Sequence, residues 1–348
     1  MKCFIYDEKK NSNYDIDKFL GNSILQVNYK LHSIYEAMKN YNYNYIVCVE
    51  NDLVVGVMPF IIYKNEFSNI INSMPLIGYG GIEATKENKN KIFEKVIDYL
   101  NKVAKKNNVD LITICTQPFK DDEYTLYKDI FKPDFERKNF YQYLDLKKDI
   151  FENMKSKFRG NLKRNIKKCI EKYNIDIVES YDLKDLEYWY ENVYKKRLKE
   201  TGCVIYPYKV FEVFLTNIKK EKIKMLYGIS EGKIIAGGLY LNQGKSIDNF
   251  MRVVDSNYFN TQVGTYMDYL SIKYSIDNKF QYYNWQSCDD IGSSIFKYKE
   301  DWGSEIGYHY YLTKVVGDIE DLKNMSIKKI KNNFSGIYVL PYEEFKNK

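Results

Sequence analysis

Hydrophobic positions along this chain group into two copies of one pattern. YIVCVENDLVVGVMPFII, Tyr45 to Ile62, is a β-branched run, a polar turn at Glu50-Asn51-Asp52 and a second apolar run. LYGISEGKIIAGGLYL, Leu226 to Leu241, repeats it with Glu231-Gly232-Lys233 at the turn, and both read as β-hairpins. Aligning Gly56 with Gly237 superposes turn on turn without a gap. A helical stretch and a short apolar strand follow each hairpin. These are Lys86 to Lys106 with Asp110 to Thr116, and Val263 to Ser275 with Gln281 to Ser287. The repetition predicts an internally duplicated α/β (α+β) protein, with an N-terminal domain over 1–150 and a C-terminal domain over 151–348.

Between the halves, Phe151, Met154, Phe158, Leu162, Ile166, Cys169 and Tyr173 recur every three or four residues, which predicts one amphipathic helix from Phe151 to Tyr173. Its other positions carry Lys155, Lys157, Arg159, Lys163, Arg164, Lys167, Lys168 and Lys172. Such a face is either a solvated exterior or a contact for polyanions such as nucleotide or tRNA phosphates, with Arg159, Lys163 and Arg164 as candidate ligands. No aromatic side chains interleave on it, which argues against a sequence-reading RNA module.

Composition narrows the classes. With 348 residues and 45% hydrophobic content, the chain suits two cores rather than one and excludes disorder. The 35 Tyr accompany an excess of Lys, Asn and Ile that share A- and T-rich codons. A net charge of +6 specifies no partner. Cys3, Cys48, Cys115, Cys169, Cys203 and Cys288 are scattered without metal-ligand spacing, so neither a metal site nor a disulfide framework is expected. The longest uncharged apolar run, Val54 to Ile62, is too short to span a bilayer, and no signal-peptide pattern opens the chain. A cytoplasmic protein without an integral membrane segment is the expectation.

Arg252 in FMRVV is a charge among apolar neighbours on an expected central strand, Lys245 to Asp255, so it is either ion-paired or in contact with substrate or donor phosphate. Asn260 or Thr261 is a suitable N-cap for the next helix, whose first turn offers free N–H groups to phosphate. Asp289 and Asp290 follow the strand Gln281 to Ser287, at the edge where sites in open α/β sheets gather, and either could accept a proton from an amine. Only His32 and His309 are available as imidazoles, and no Ser or Cys sits in a nucleophile elbow, so direct attack is favoured over a covalent triad.

The segment SSIFKYKEDWGSE, Ser293 to Glu305, resembles the Phe-Lys-x-x-Phe/Trp-Gly signature of Fem-type transferases and related acetyltransferase-like proteins of the GNAT superfamily. Phe296, Lys297, Trp302 and Gly303 match it with a longer spacer. Gln262-Val263-Gly264-Thr265 partly resembles the loop that grips coenzyme A pyrophosphate in that superfamily. Met74 to Ile82 resembles a Pro- and Gly-rich stretch of the same relatives but lacks their Pro-Arg-Gly-Pro form.

The resemblance implies tandem GNAT-like domains, each a mixed, mostly antiparallel sheet flanked by helices, with the chemistry in the second. It implies donor contacts from Phe296, from Gly237 and Gly238 on a splayed strand, and from Gln262, Gly264 and Thr265. Lys297 would steady charge at the reacting carbonyl, Tyr298 would protonate the leaving group, and Asp289 would take the amine proton. The implied co-substrate is acyl-CoA or aminoacyl-tRNA, with no permanently bound cofactor. The acceptor is a small-molecule or peptidoglycan-precursor amine, and tRNA is a partner in the second case. A non-catalytic anion- or RNA-binding module is the remaining alternative.

Overall fold

The computed structural model describes residues 1–21, 23, 41–73, 79–287 and 290–334. The chain forms two compact units, one from Met1–Asn139 with the segment from Tyr308 onward, the other from Phe140–Gly307. The strands are β1 (Lys2–Ile5), β2 (Tyr41–Glu50), β3 (Leu53–Lys64), β4 (Asn69–Asn72), β5 (Glu83–Ala84), β6 (Leu111–Cys115), β7 (Phe135–Asp145), β8 (Asp176–Glu179), β9 (Ile223–Ser230), β10 (Lys233–Gln243), β11 (Ser246–Val254), β12 (Tyr282–Ser287) and β13 (Glu305–Val315).

In the first unit the strand order is β1-β2-β3-β4-β6-β13, with β5 also on β3. In the second it is β7-β12-β11-β10-β9-β8. Both expected hairpins are present. Their two-residue turns, Asn51-Asp52 (φ 51 and 60) and Glu231-Gly232 (φ 49 and 72), are left-handed at both positions, as the twist of a tight hairpin demands. Each unit then adds one parallel pair, β4 with β6 and β11 with β12. A parallel pair needs a crossover, and the helices Lys89–Lys106 and Val263–Asp277 supply it.

The expected boundary at 150/151 differs from the observed one for a topological reason. Strand β7 follows the first repeat in sequence but pairs with β12, Tyr283 opposite Leu144. Strand β13 follows the second repeat but pairs with β6, Leu312 opposite Ile114. The repeats exchange their last strands, and a reading along the chain assigns each to the repeat it follows.

The expected helix Phe151–Tyr173 is also divided. Helix Ile150–Asn153 stops at Met154 and Lys155, whose ψ values of 143 and 130 are not helical; helix Ser156–Lys167 follows, and Lys168–Lys172 is a π turn. The apolar stripe survives the break. Met154, Leu162 and Cys169 are buried with Trp285, Trp302 and Met267 in the core of the second unit, while Phe151 is 42% exposed.

Candidate functional site

Strands β11 and β12 pair only through Ser246–Asp248 against Tyr282–Asn284. Beyond that point Asn249, Phe250, Met251 and Arg252 on one side and Trp285, Gln286 and Ser287 on the other line a cavity of about 360 Å³. Ser294, Ile295, Tyr298 and Lys299, from the helix Ser294–Asp301, close a third side. A cavity of this size suits a small-molecule ligand.

One wall is a buried polar network. Asp268, on the crossover helix, has no solvent exposure. Its Oδ1 pairs with Arg252 Nε at 2.9 Å and its Oδ2 accepts the Tyr298 hydroxyl at 2.7 Å. Asn249 Nδ2 donates to the Tyr283 hydroxyl at 3.1 Å, and that hydroxyl shares a 2.7 Å bond with Ser271. Burial and the Asp268 charge push the Tyr298 hydroxyl far above its ordinary value, so it keeps its proton at neutral pH. Burial opposes the Arg252 charge, yet the Asp268 carboxylate keeps the guanidinium protonated.

The opposite wall is a pinned strand distortion. Gln286 adopts a left-handed φ of 64, where the pairing of β12 with β7 shifts register. Its N–H donates to Asn284 Oδ1 at 2.9 Å and its Nε2 donates to Asp248 Oδ2 at 3.0 Å. Lys299 is only 7% exposed, and its Nζ donates to the carbonyls of Trp285 at 2.9 Å and Gln286 at 3.2 Å. Burial pushes the Asp248 carboxyl up to about 8 despite its bonds to Asn284 and Gln286, so at neutral pH it is mostly protonated. The described lining thus carries two cations, Arg252 and Lys299, and no carboxylate of its own.

The residues expected from sequence divide accordingly. Arg252 and Tyr298 line the cavity, and Arg252 is ion-paired with Asp268. Thr265 is buried on the crossover helix, outside the lining, and its hydroxyl donates to Gln262 Oε1 at 3.5 Å. Lys297 is exposed and outside the lining; the helix turns Lys299 inward instead. Phe296 is buried against Phe140, and its carbonyl accepts Gln142 Nε2.

Gly237 and Gly238 are paired on both sides, to β9 and β11, so their backbone is not splayed toward a ligand. A Cβ on Gly237 would lie 2.4 Å from the Trp189 indole, and one on Gly264 would lie 2.4 Å from an Arg252 guanidinium nitrogen. These glycines make room for the Trp189 and Arg252 side chains. Gln262, at φ 66, caps the crossover helix and is bonded by Asn165 Nδ2 at 3.4 Å. Arg159, Lys163 and Arg164 are exposed on their helix and line no part of the cavity. Asp289, Cys288, His32 and residues 74–78 lie outside the described residues, and Asp290 is exposed.

Sequence reasoning missed Lys299 and Asp268. Reading the signature without an insertion selects Tyr298-Lys299-Glu300-Asp301-Trp302-Gly303, which has the family's two-residue spacer with Tyr in place of Phe. For Asp268 the signal was helical spacing, since it shares the buried face of Val263, Thr265, Met267, Ser271, Ile272 and Ser275.

A Cys–His–Asn constellation occurs in the first unit. Cys115 Sγ lies 3.4 Å from His309 Nδ1, and Asn139 Nδ2 lies 3.0 Å from His309 Nε2. Burial raises the thiol well above its usual value and lowers the imidazole to about 4, so both stay neutral and no thiolate–imidazolium pair forms. Among the described residues, no His, Cys, Asp and Glu cluster could hold a metal, and no helix is long and apolar enough to cross a membrane.

No protein-family model and no curated protein matches the sequence. Solved structures do match the fold. FemX superposes with a TM-score of 0.67 at 10% identity, over 90% of this chain and 97% of its own. A tandem GNAT protein from the clavulanic acid biosynthesis pathway gives 0.55 at 11% identity, over 91% and 99%. The L-PGS of Bacillus licheniformis gives 0.54 at 13%, over 93% and 94%. The chain therefore has the tandem GNAT-like, Fem-type fold that its sequence resembles.

Proposed function

We propose that this chain is an N-acyltransferase, which moves an acyl group from acyl-CoA to an amine of a cell-envelope or small-metabolite precursor. The observation that carries the reading is the parting of β11 and β12 around a cavity walled by Arg252, Tyr298 and Lys299, in a fold shared with a tandem GNAT protein. The neutral amine attacks the acyl carbonyl and a C–N bond forms. The carbonyl oxygen takes the electron pair; collapse breaks the C–S bond, a thiolate leaves, and the amine gives up a proton. Arg252 and Lys299 lower the energy of the oxyanion by their positive field, with no carboxylate among the described lining residues. Tyr298 retains its proton, the state in which a phenol can serve a leaving thiolate. Asp289 is the candidate acceptor of the amine proton. No permanent cofactor enters this reaction.

A second reading keeps the site and changes the donor to aminoacyl-tRNA, with a peptidoglycan-precursor amine as acceptor. The exposed Arg159, Lys163 and Arg164 favour it, because a row of cations suits a phosphate backbone.

The test offers the protein a panel of amines with acyl-CoA, and separately with aminoacylated tRNA. Free thiol release that disappears in Lys299→Ala supports the first reading. Transfer that ribonuclease abolishes selects the second. Salt-sensitive anion binding without turnover from either donor refutes catalysis and leaves a binding module.

A further inference from the structure

Cys3 and Cys48 stand directly opposite each other on the antiparallel strands β1 and β2. The Tyr6 N–H donates to the Tyr45 carbonyl at 2.9 Å, which makes the next pair along that register a hydrogen-bonded one. Pairs alternate, so three residues back Cys3 and Cys48 occupy a non-hydrogen-bonded pair, the kind in which side chains approach most closely. Opposed Cα atoms there lie about 4.5 Å apart, within the range of roughly 4.4–6.8 Å that a disulfide spans. Both cysteines are free thiols. Cys48 is fully buried while Cys3 is half-buried, so a small oxidant reaches the pair through Cys3.

We propose that Cys3 and Cys48 are a reversible redox modification site, closed by peroxide into a cross-strand disulfide that staples the sheet-edge strand β1 to β2. The neighbouring Cys3 stabilises the Cys48 thiolate, which lowers the Cys48 thiol and raises that of Cys3. The first proton leaves the pair as a unit, and the remaining one is shared between the sulfurs. The Cys48 thiolate attacks peroxide that enters past Cys3, breaking the O–O bond and giving a Cys48 sulfenic acid and, with the proton of the pair, water. The Cys3 sulfur then displaces the second water to form the S–S bond. Two thiols lose two electrons and two protons in total, and one peroxide becomes two waters. The other described cysteines are placed differently: Cys115 contacts His309, Cys169 is in a core, and Cys203 is exposed.

The experiment treats the intact protein with equimolar hydrogen peroxide, blocks remaining thiols with an alkylating agent and maps the non-reduced digest by mass. The expected result is a peptide containing Cys3 linked to one containing Cys48 within one chain, restored to free thiols by a reductant. Slowed amide exchange in Lys2–Ile5 should accompany it. Cys3→Ser should abolish the link and Cys203→Ser should leave it intact, so the half-buried position tests the pair without disturbing the buried one. Oxidation confined to Cys203, sulfinic acid at Cys3 without linkage, or a link found only between two chains would overturn the proposal.

Discussion

Replacing Asp268 by Asn tests whether the Arg252–Asp268 pair holds the cavity wall. The substitution keeps the shape and still offers Tyr298 an acceptor, but it removes the charge from an atom 2.9 Å from Arg252 Nε. Removing one partner of a buried ion pair costs about 3–5 kcal/mol, mostly because the other charge is left uncompensated. Asp268 is fully buried, but the Arg252 side chain is 24% exposed and keeps some hydration, which puts the expected loss near the lower bound, about 3 kcal/mol. The three tryptophans, Trp189, Trp285 and Trp302, all lie in the Phe140–Gly307 unit, so urea unfolding followed by their fluorescence reads that unit alone. In an Arg252→Met background the same Asp268→Asn change should cost at least about 2 kcal/mol less, because no cation remains to be stranded. A loss below about 1 kcal/mol in the single variant, or an equal loss in both backgrounds, would refute the pairing argument.

Three further outcomes follow from named contacts. Lys299→Met should lower acyl-transfer turnover by about a hundredfold or more, whereas Lys297→Met, exposed two positions away, should leave turnover intact and shift stability by no more than about 0.5 kcal/mol; reversed effects would return the role to Lys297. Gly264→Ala should destabilise the second unit by about 1–3 kcal/mol, since the added carbon would sit 2.4 Å from the Arg252 guanidinium; a neutral effect in urea unfolding would show that Arg252 has another place to go. Burial lowers His309 from 6.5 to about 4, so on acidification the unfolded chain takes up the proton first. Its contribution is complete above pH 6.5 and falls by about 3 kcal/mol toward pH 4. Circular dichroism of urea unfolding across that window should show the loss, and His309→Gln should flatten it.

Local chemistry made much of this protein legible in one dimension. Turn residues that tolerate a left-handed backbone, Asn51-Asp52 and Gly232, announced both hairpins, and the helices and strands after them fell within a few residues of their expected bounds. Arg252 stood out because a charge on a central strand requires a partner, and the partner exists. The sequence could not reveal that β7 and β13 trade places, because strand pairing is a long-range contact that leaves no mark in local periodicity. It pointed to Lys297, whereas the lysine that faces the cavity is Lys299, since on a short helix only the facing carbonyls of Trp285 and Gln286 decide which lysine turns inward. The glycines of β10 read as openings for a ligand, and only packing shows the Trp189 indole filling one of them. Propensity and turn chemistry act between neighbours and are written in sequence. The cavity, its charges and the strand exchange arise from groups far apart in the chain, and those were settled only when the sheets formed.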